Sequence, residues 1–156
     1  VNIKQINLSN LLQARFEICR KLYIEEKNHD NVIFELNIDD NIMLEGDEYL
    51  LSRVIDNLII NSIKYCPKGL VNIALKKGKN IKFTISDQGI GIPADELNKV
   101  FSVMVVSSRT KTPAGGRGVG LALCKKIIEL HKGTIWAEGN GSSKGVTFKF
   151  SLPRAA

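Results

Sequence analysis

A chain of 156 residues, 44% of them hydrophobic, is long enough to bury one real core and is expected to form a single domain, 1–156. Its net charge of +6 comes from scattered Lys and Arg, and aromatic residues make up only 6%; a solvated basic surface is expected, not a nucleic-acid face. No apolar run nears the roughly 20 residues that cross a bilayer, no secretion signal is expected, and Cys19, Cys66 and Cys124 are too far apart for a disulfide framework or a CxxC metal site, so a reducing cytoplasm is expected.

In chain order, Ile6 and Leu8 predict a short first strand, so that 1–8 reads as the end of a linker and that strand. Ser9 is the expected N-cap of a helix reaching about Glu26, with Leu11, Leu12, Phe16 and Ile18 on its apolar stripe. Asn28 to Asn31 breaks that pattern. Val32, Phe34, Leu36 and Ile38 then alternate as a strand, Asp39-Asp40-Asn41 turns, and Ile42 to Leu44 is extended. A second helix is predicted from Asp47 to Tyr65, ending before Pro67. Val71, Ile73 and Leu75 alternate in one strand and Ile81, Phe83 and Ile85 in the next, with Lys77-Gly78-Lys79-Asn80 as the hairpin turn.

Between Phe101 and Arg117 the chain is rich in Ser, Thr and Gly and has little periodicity. It is longer than the usual connection of about 4 to 6 residues, and 101–117 is read as a lid. Gly118 to His131 is a third helix with Leu121, Cys124, Ile127, Ile128 and Leu130 toward the core, stopped by Gly133. Strands near Thr134 to Glu138 and Val146 to Leu152 complete the chain. The expected fold is an α/β (α+β) two-layer sandwich, a mixed and mostly antiparallel sheet with helices on one face.

Three segments carry chemistry. On the second helix Arg53, Asn57, Asn61 and Lys64 form a polar stripe beside Leu51, Val54, Ile55, Leu58 and Ile59. An Asn amide oxygen ligates Mg²⁺ without adding negative charge beside phosphates, although a plain amphipathic helix has the same pattern. After Ile81, Phe83 and Ile85, strand parity turns Asp87 inward, where a carboxylate needs a partner; a surface turn is the alternative for Asp87-Gln88-Gly89. Gly116-Arg117-Gly118-Val119-Gly120 leads into a helix, so N–H groups and the positive helix end face an anion there. It is neither a Walker A loop nor a dinucleotide fingerprint, and a flexible linker is the competing reading.

In this order the segments Asn57-Leu58-Ile59-Ile60-Asn61-Ser62-Ile63-Lys64-Tyr65, Asp87-Gln88-Gly89-Ile90-Gly91-Ile92-Pro93 and Gly115-Gly116-Arg117-Gly118-Val119-Gly120-Leu121-Ala122-Leu123 resemble the N, G1 and G2 boxes of the ATP-binding module shared by sensor histidine kinases, DNA gyrase, heat-shock chaperone ATPases and mismatch-repair ATPases. The histidine-kinase branch fits best, from about Ser9 to Pro153. The resemblance implies a Bergerat fold that takes ATP and Mg²⁺. Carried over position by position, it places Asn61 on the metal, Asn57 near the phosphates, Lys64 as a phosphate-neutralising cation and Tyr65 near the nucleoside. Asp87 would accept the adenine amino group, with Gly89, Gly91 and Ile92 around the base. Gly116, Gly118, Val119, Gly120 and Leu121 would line the phosphates. Arg109, Lys111 and Arg117 are assigned to the terminal phosphates from charge and place alone.

Where hydrolytic members place a Glu to activate water, four residues before the metal-binding Asn, this chain has Asn57, which is no base near neutral pH. The nucleophile implied is a histidine on a separate helical domain. Three positions depart from the family pattern: Met104 replaces the second aromatic after Phe101, Val105-Val106 lacks the usual basic residue, whose place Arg109 would take, and Val146 stands where a Ser or Thr approaches the adenine. Thr147 is the neighbouring alternative, although parity points it the other way. Of the two histidines, His29 lacks the following proline and His131 ends a helix, so neither reads as the phosphoacceptor.

The sequence thus reads as the catalytic ATP-binding domain of a two-component sensor histidine kinase, a transferase in signal transduction without its phosphoacceptor domain. Its expected partners are the phosphoacceptor domain of a homodimeric parent and a downstream response regulator, with no nucleic acid and no membrane contact by this domain. Cytoplasmic placement is expected, and an inner-membrane parent stays open. Two alternatives remain: a protein-serine kinase of the anti-sigma type, and a nucleotide-binding module without transferase activity.

Overall fold

The computed structural model describes residues 1–25, 32–65, 69–89, 97, 118–139 and 145–154. The chain opens with β1 (Ile3–Asn7) and α1 (Leu8–Cys19), which continues into a π-helical segment, Arg20–Glu25. The strand predicted through Leu8 therefore ends one residue earlier, and Asn7, not Ser9, is the N-cap: its side chain accepts the Asn10 N–H at 3.0 Å. Ser9 lies within the helix, where its hydroxyl donates to the Asp39 carbonyl at 2.6 Å and accepts the Ile42 N–H at 3.0 Å. Both side chains are capable caps, and the chance to tie down the turn after β2 (Val32–Ile38) decides between them.

After β3 (Met43–Asp47), α2 (Glu48–Tyr65) is capped by Asp47, whose Oδ1 accepts the Leu50 N–H at 3.0 Å. Apolar residues three and four apart give α2 a continuous buried face of Leu51, Val54, Ile55, Leu58, Ile59 and Ile63. Then follow β4 (Gly69–Lys77), β5 (Asn80–Asp87), α3 (Gly118–Leu130), β6 (Thr134–Gly139) and β7 (Val146–Pro153). α3 ends with Lys132 in the left-handed region at φ 64° and with the Gly133 N–H on the Ile128 carbonyl, so the reversal falls one residue before the predicted stop.

The main sheet has the order β2-β4-β5-β7-β6, with β2 and β4 parallel and every other pair antiparallel; β1 and β3 pair antiparallel in a separate ribbon. Alternation buries Val71, Ile73 and Leu75 with Ile81, Phe83 and Ile85 and with Val146, Phe148, Phe150 and Leu152 on one face, which α1, α2 and α3 cover. Lys76, Lys82 and Asn72 are exposed on the other. This is the expected two-layer sandwich. Among the described residues no helix is long and apolar enough to cross a membrane.

Candidate functional site

Asp87 is the last residue of β5, and the parity that buries Ile81, Phe83 and Ile85 leaves it 1% exposed on the helix-covered side. Its Oδ1 accepts the Gly89 N–H at 3.0 Å, bending the chain out of the strand in a turn closed by the side chain, and lies 3.4 Å from the Val146 N–H at the start of β7. Gly145 presses against the same group: its φ is +90°, and a Cβ built there would stand 1.9 Å from the Asp87 carbonyl oxygen and 2.8 Å from Oδ1. The carboxylate is thus aimed from two strands.

The polar stripe of α2 runs beside its buried face. Asn57 and Asn61 are half-buried and Lys64 is exposed. Asn57 points its amide nitrogen at α3, 3.4 Å from the Gly120 carbonyl and 3.8 Å from the Cys124 Sγ. A Cβ at Gly120 would lie 3.7 Å from the Asn57 Cγ, so the carboxamide rests against the first turn of α3. The first and third sequence boxes therefore touch. Arg53, on the same stripe, instead bonds the Tyr49 hydroxyl at 3.2 Å and lies over its ring. Asp56 is committed to α1 through a two-bond pair with Arg15, at 2.9 and 2.7 Å; that hydrogen bond holds the Arg15 guanidinium pKa above its usual value. Burial pushes both the Cys19 and the Cys124 thiols up to about 12, so both are protonated and unreactive.

The other expected residues divide clearly. Gly89 is in place beside Asp87, Gly118 and Val119 open α3, and Tyr65 closes α2. Thr147 is not brought to Asp87: it pairs in register with Ser86 on the opposite sheet face, and the two hydroxyls are 2.8 Å apart. Leu121 is 0% exposed, so its side chain belongs to the core and has no open face for a phosphate. Gly91, Ile92, Arg109, Lys111, Gly116 and Arg117, the predicted lid and its Met104, and His29 lie outside the described residues. His131 is no exposed cap: at 8% exposure its Nε2 accepts the Asp47 N–H at 3.0 Å, which makes Nδ1 the donor to the Ile127 carbonyl at 2.8 Å. Sequence reasoning missed Gly145, and it placed Cys124 in the core, where it is, without its contact to Asn57. The first carried a signal as a lone Gly before a strand, the second as the residue four past Gly120 on the same helix face.

Residues 46–156 match the family described as histidine kinase-, DNA gyrase B-, and HSP90-like ATPase. The chain is 31% identical over 157 residues to the sensor histidine kinase WalK of Bacillus subtilis, covering 97% of this chain and 24% of that protein. It is 32% identical to the adaptive-response sensory kinase SasA of Thermosynechococcus vestitus, covering 96% of this chain and 39% of that one. It thus spans well under half the length of these relatives. The nucleotide-free catalytic domain of the histidine kinase ThkA superposes over 100% of both chains with a TM-score of 0.82 at 25% identity. With the ordered boxes, the sheet and this match over most of its length, the chain belongs to the histidine kinase-, DNA gyrase B- and HSP90-like ATPase family.

Proposed function

We propose that the chain is the ATP-binding catalytic domain of a two-component sensor histidine kinase, binding Mg²⁺-ATP and passing its γ-phosphate to a histidine on the phosphoacceptor domain of a homodimeric parent, from which a response regulator takes it. The observation that carries this reading is the Asp87 carboxylate, buried at a strand end and held by backbone N–H groups against Gly145. A fixed acceptor in a closed site selects a base that offers an amino group, because a ligand without that donor leaves a polar group unmatched.

The rest follows from place and charge. The first turn of α3 supplies N–H groups and the positive helix end for phosphate, and Lys64 supplies an exposed cation on α2. Asn61, half-buried one turn beyond Asn57, offers the neutral oxygen that suits Mg²⁺ shared with phosphate and water. The bound ion would neutralise charge on the transferring phosphate. Asn57 favours transfer over hydrolysis: its amide is no base, and a carboxylate there would face the Gly120 carbonyl. In this reading 1–8 is the end of the linker from the parent and the first strand, 101–117 is the ATP lid, Arg109 and Arg117 are assigned to the phosphates from their charge, and the domain works in the cytoplasm.

The test mixes the chain with its parent's phosphoacceptor domain, Mg²⁺ and γ-labelled ATP. Acid-labile, base-stable phosphohistidine is expected. Acid-stable label on serine would mark a serine kinase of the anti-sigma type, binding without transfer a nucleotide-sensing module, and absence of ATP binding would remove the nucleotide site itself.

A further inference from the structure

Where α2 packs on α3, the buried Leu58, Leu121 and Cys124 meet a cluster of polar contacts around Asn57. There the Cys124 thiol, 0% exposed, lies 4.0 Å from the Val54 carbonyl and 3.8 Å from the Asn57 Nδ2, while the same Nδ2 lies 3.4 Å from the Gly120 carbonyl. The thiol is protonated, so its one hydrogen turns to Val54 and its lone pairs face the Asn57 amide. The two amide hydrogens then have one acceptor each, a carbonyl and a sulfur. A carbonyl only accepts, so Nδ2 must face α3 and Oδ1 must lie on the other side of the carboxamide.

We propose that Cys124 is a positioning residue for the phosphate end of the nucleotide site. It touches no nucleotide. It fixes the rotation of the Asn57 amide and, through that amide, sets the N-terminal turn of α3 against the polar stripe of α2. Each contact is long and individually weak, but they act together on a single rotatable group, and the outcome they select is an orientation. Asn57 accordingly keeps Oδ1 as its acceptor for a hydrogen from water or a metal's hydration shell, because the amide hydrogens are spent on the protein. Valine at position 124 would fill the same space and remove one of the two acceptors, leaving the amide held by the Gly120 carbonyl alone and so less firmly fixed.

The inference rests on the proposed nucleotide site and is tested so that the two fail separately. Affinities of the 156-residue chain for Mg²⁺-ATP and for AMP are measured by calorimetry in the native protein, Cys124→Val and Cys124→Ser, with thermal unfolding of each. Cys124→Val is expected to bind AMP as the native chain does and Mg²⁺-ATP several-fold more weakly, whereas Cys124→Ser, which keeps an acceptor, is expected to restore most of the difference. A merely structural role would move both nucleotides together, in step with stability. The inference is overturned if the ratio of ATP to AMP affinity is the same in all three proteins. Should Cys124→Val not fold, Cys124→Ala removes the same acceptor and is read in the same way. A native chain that binds neither nucleotide would instead overturn the proposed function.

Discussion

Gly145 and Asp87 are in backbone contact: a Cβ on Gly145 would stand 1.9 Å from the Asp87 carbonyl oxygen, and Gly145 has a φ of +90° that side chains rarely adopt. The obstacle is main chain at the junction of β5 and β7, where the register pairs Ser86 with Thr147, so no side-chain rotation relieves it. Gly145→Ala is expected to cost about 1–3 kcal/mol from backbone strain alone, before any steric term, and to move the carboxylate it presses upon. Urea unfolding with ATP titration measures both; an alanine variant of native stability and affinity would contradict the geometry.

Asp87→Asn separates fold from recognition. An asparagine can keep its Oδ1 on the Gly89 and Val146 N–H groups, so the turn and the start of β7 are retained. Its other atom becomes a donor, which opposes the amino group of adenine. Stability is expected to change little, while ATP affinity falls roughly 10- to 100-fold, the effect of about 1–3 kcal/mol for one mismatched buried polar group. Equal affinity in the two proteins would remove Asp87 from the adenine site.

What was legible in the sequence was what repeats with the period of an element. Alternation in Ile81, Phe83, Ile85 led to an inward Asp87, and the same parity put Thr147 on the far face, as the structure has it. Spacing of three and four on α2 separated its buried face from Asn57, Asn61 and Lys64. What escaped depends on partners distant in the chain. Asn7 and Ser9 are equally good caps until the Asp39 carbonyl claims the Ser9 hydroxyl, and His131 looks like an exposed helix end until the Asp47 N–H meets it from 84 residues away. The Asn57 to Cys124 contact crosses two helices whose relative rotation no local pattern specifies.

His131 and Gly46 are coupled in a way that a double-mutant cycle resolves. A Cβ at Gly46 would lie 2.9 Å from the His131 Cδ2 and 3.0 Å from the Leu51 Cδ1, so Gly46→Ala overpacks this corner and is expected to cost about 1–3 kcal/mol. His131→Ala orphans the buried Asp47 N–H at a cost of about 1–3 kcal/mol. In the double variant the new methyl occupies space the ring has left, so the combined loss should fall short of the sum by at least about 0.5 kcal/mol. Strict additivity in chemical denaturation would show that the ring and the glycine do not share this space.

Acid should unfold the chain through three carboxyls whose native pKa values are lowered. The Asn2 N–H, then the Leu50 N–H, hold Asp47 below its ordinary range; the Lys77 N–H, with Lys76, does so for Asp39; and the Trp136 indole N–H, with Lys149, for Glu138. A carboxyl that is more acidic folded than unfolded contributes stability that is fully present above its unfolded value, about 4, and is lost as pH falls through the lower folded value. Stability should therefore be flat near neutrality and decline below about pH 4. Asp47→Asn keeps an oxygen for the Leu50 N–H but replaces the Oδ2 that takes the Asn2 N–H at 2.7 Å. That variant should be less stable than the native chain at neutral pH, and the gap between their urea midpoints should close on acidification, because the native Asp47 then loses the charge that distinguished it. A gap that stayed constant down to about pH 3 would mean that the helix cap, not the charge, carries the contribution of Asp47.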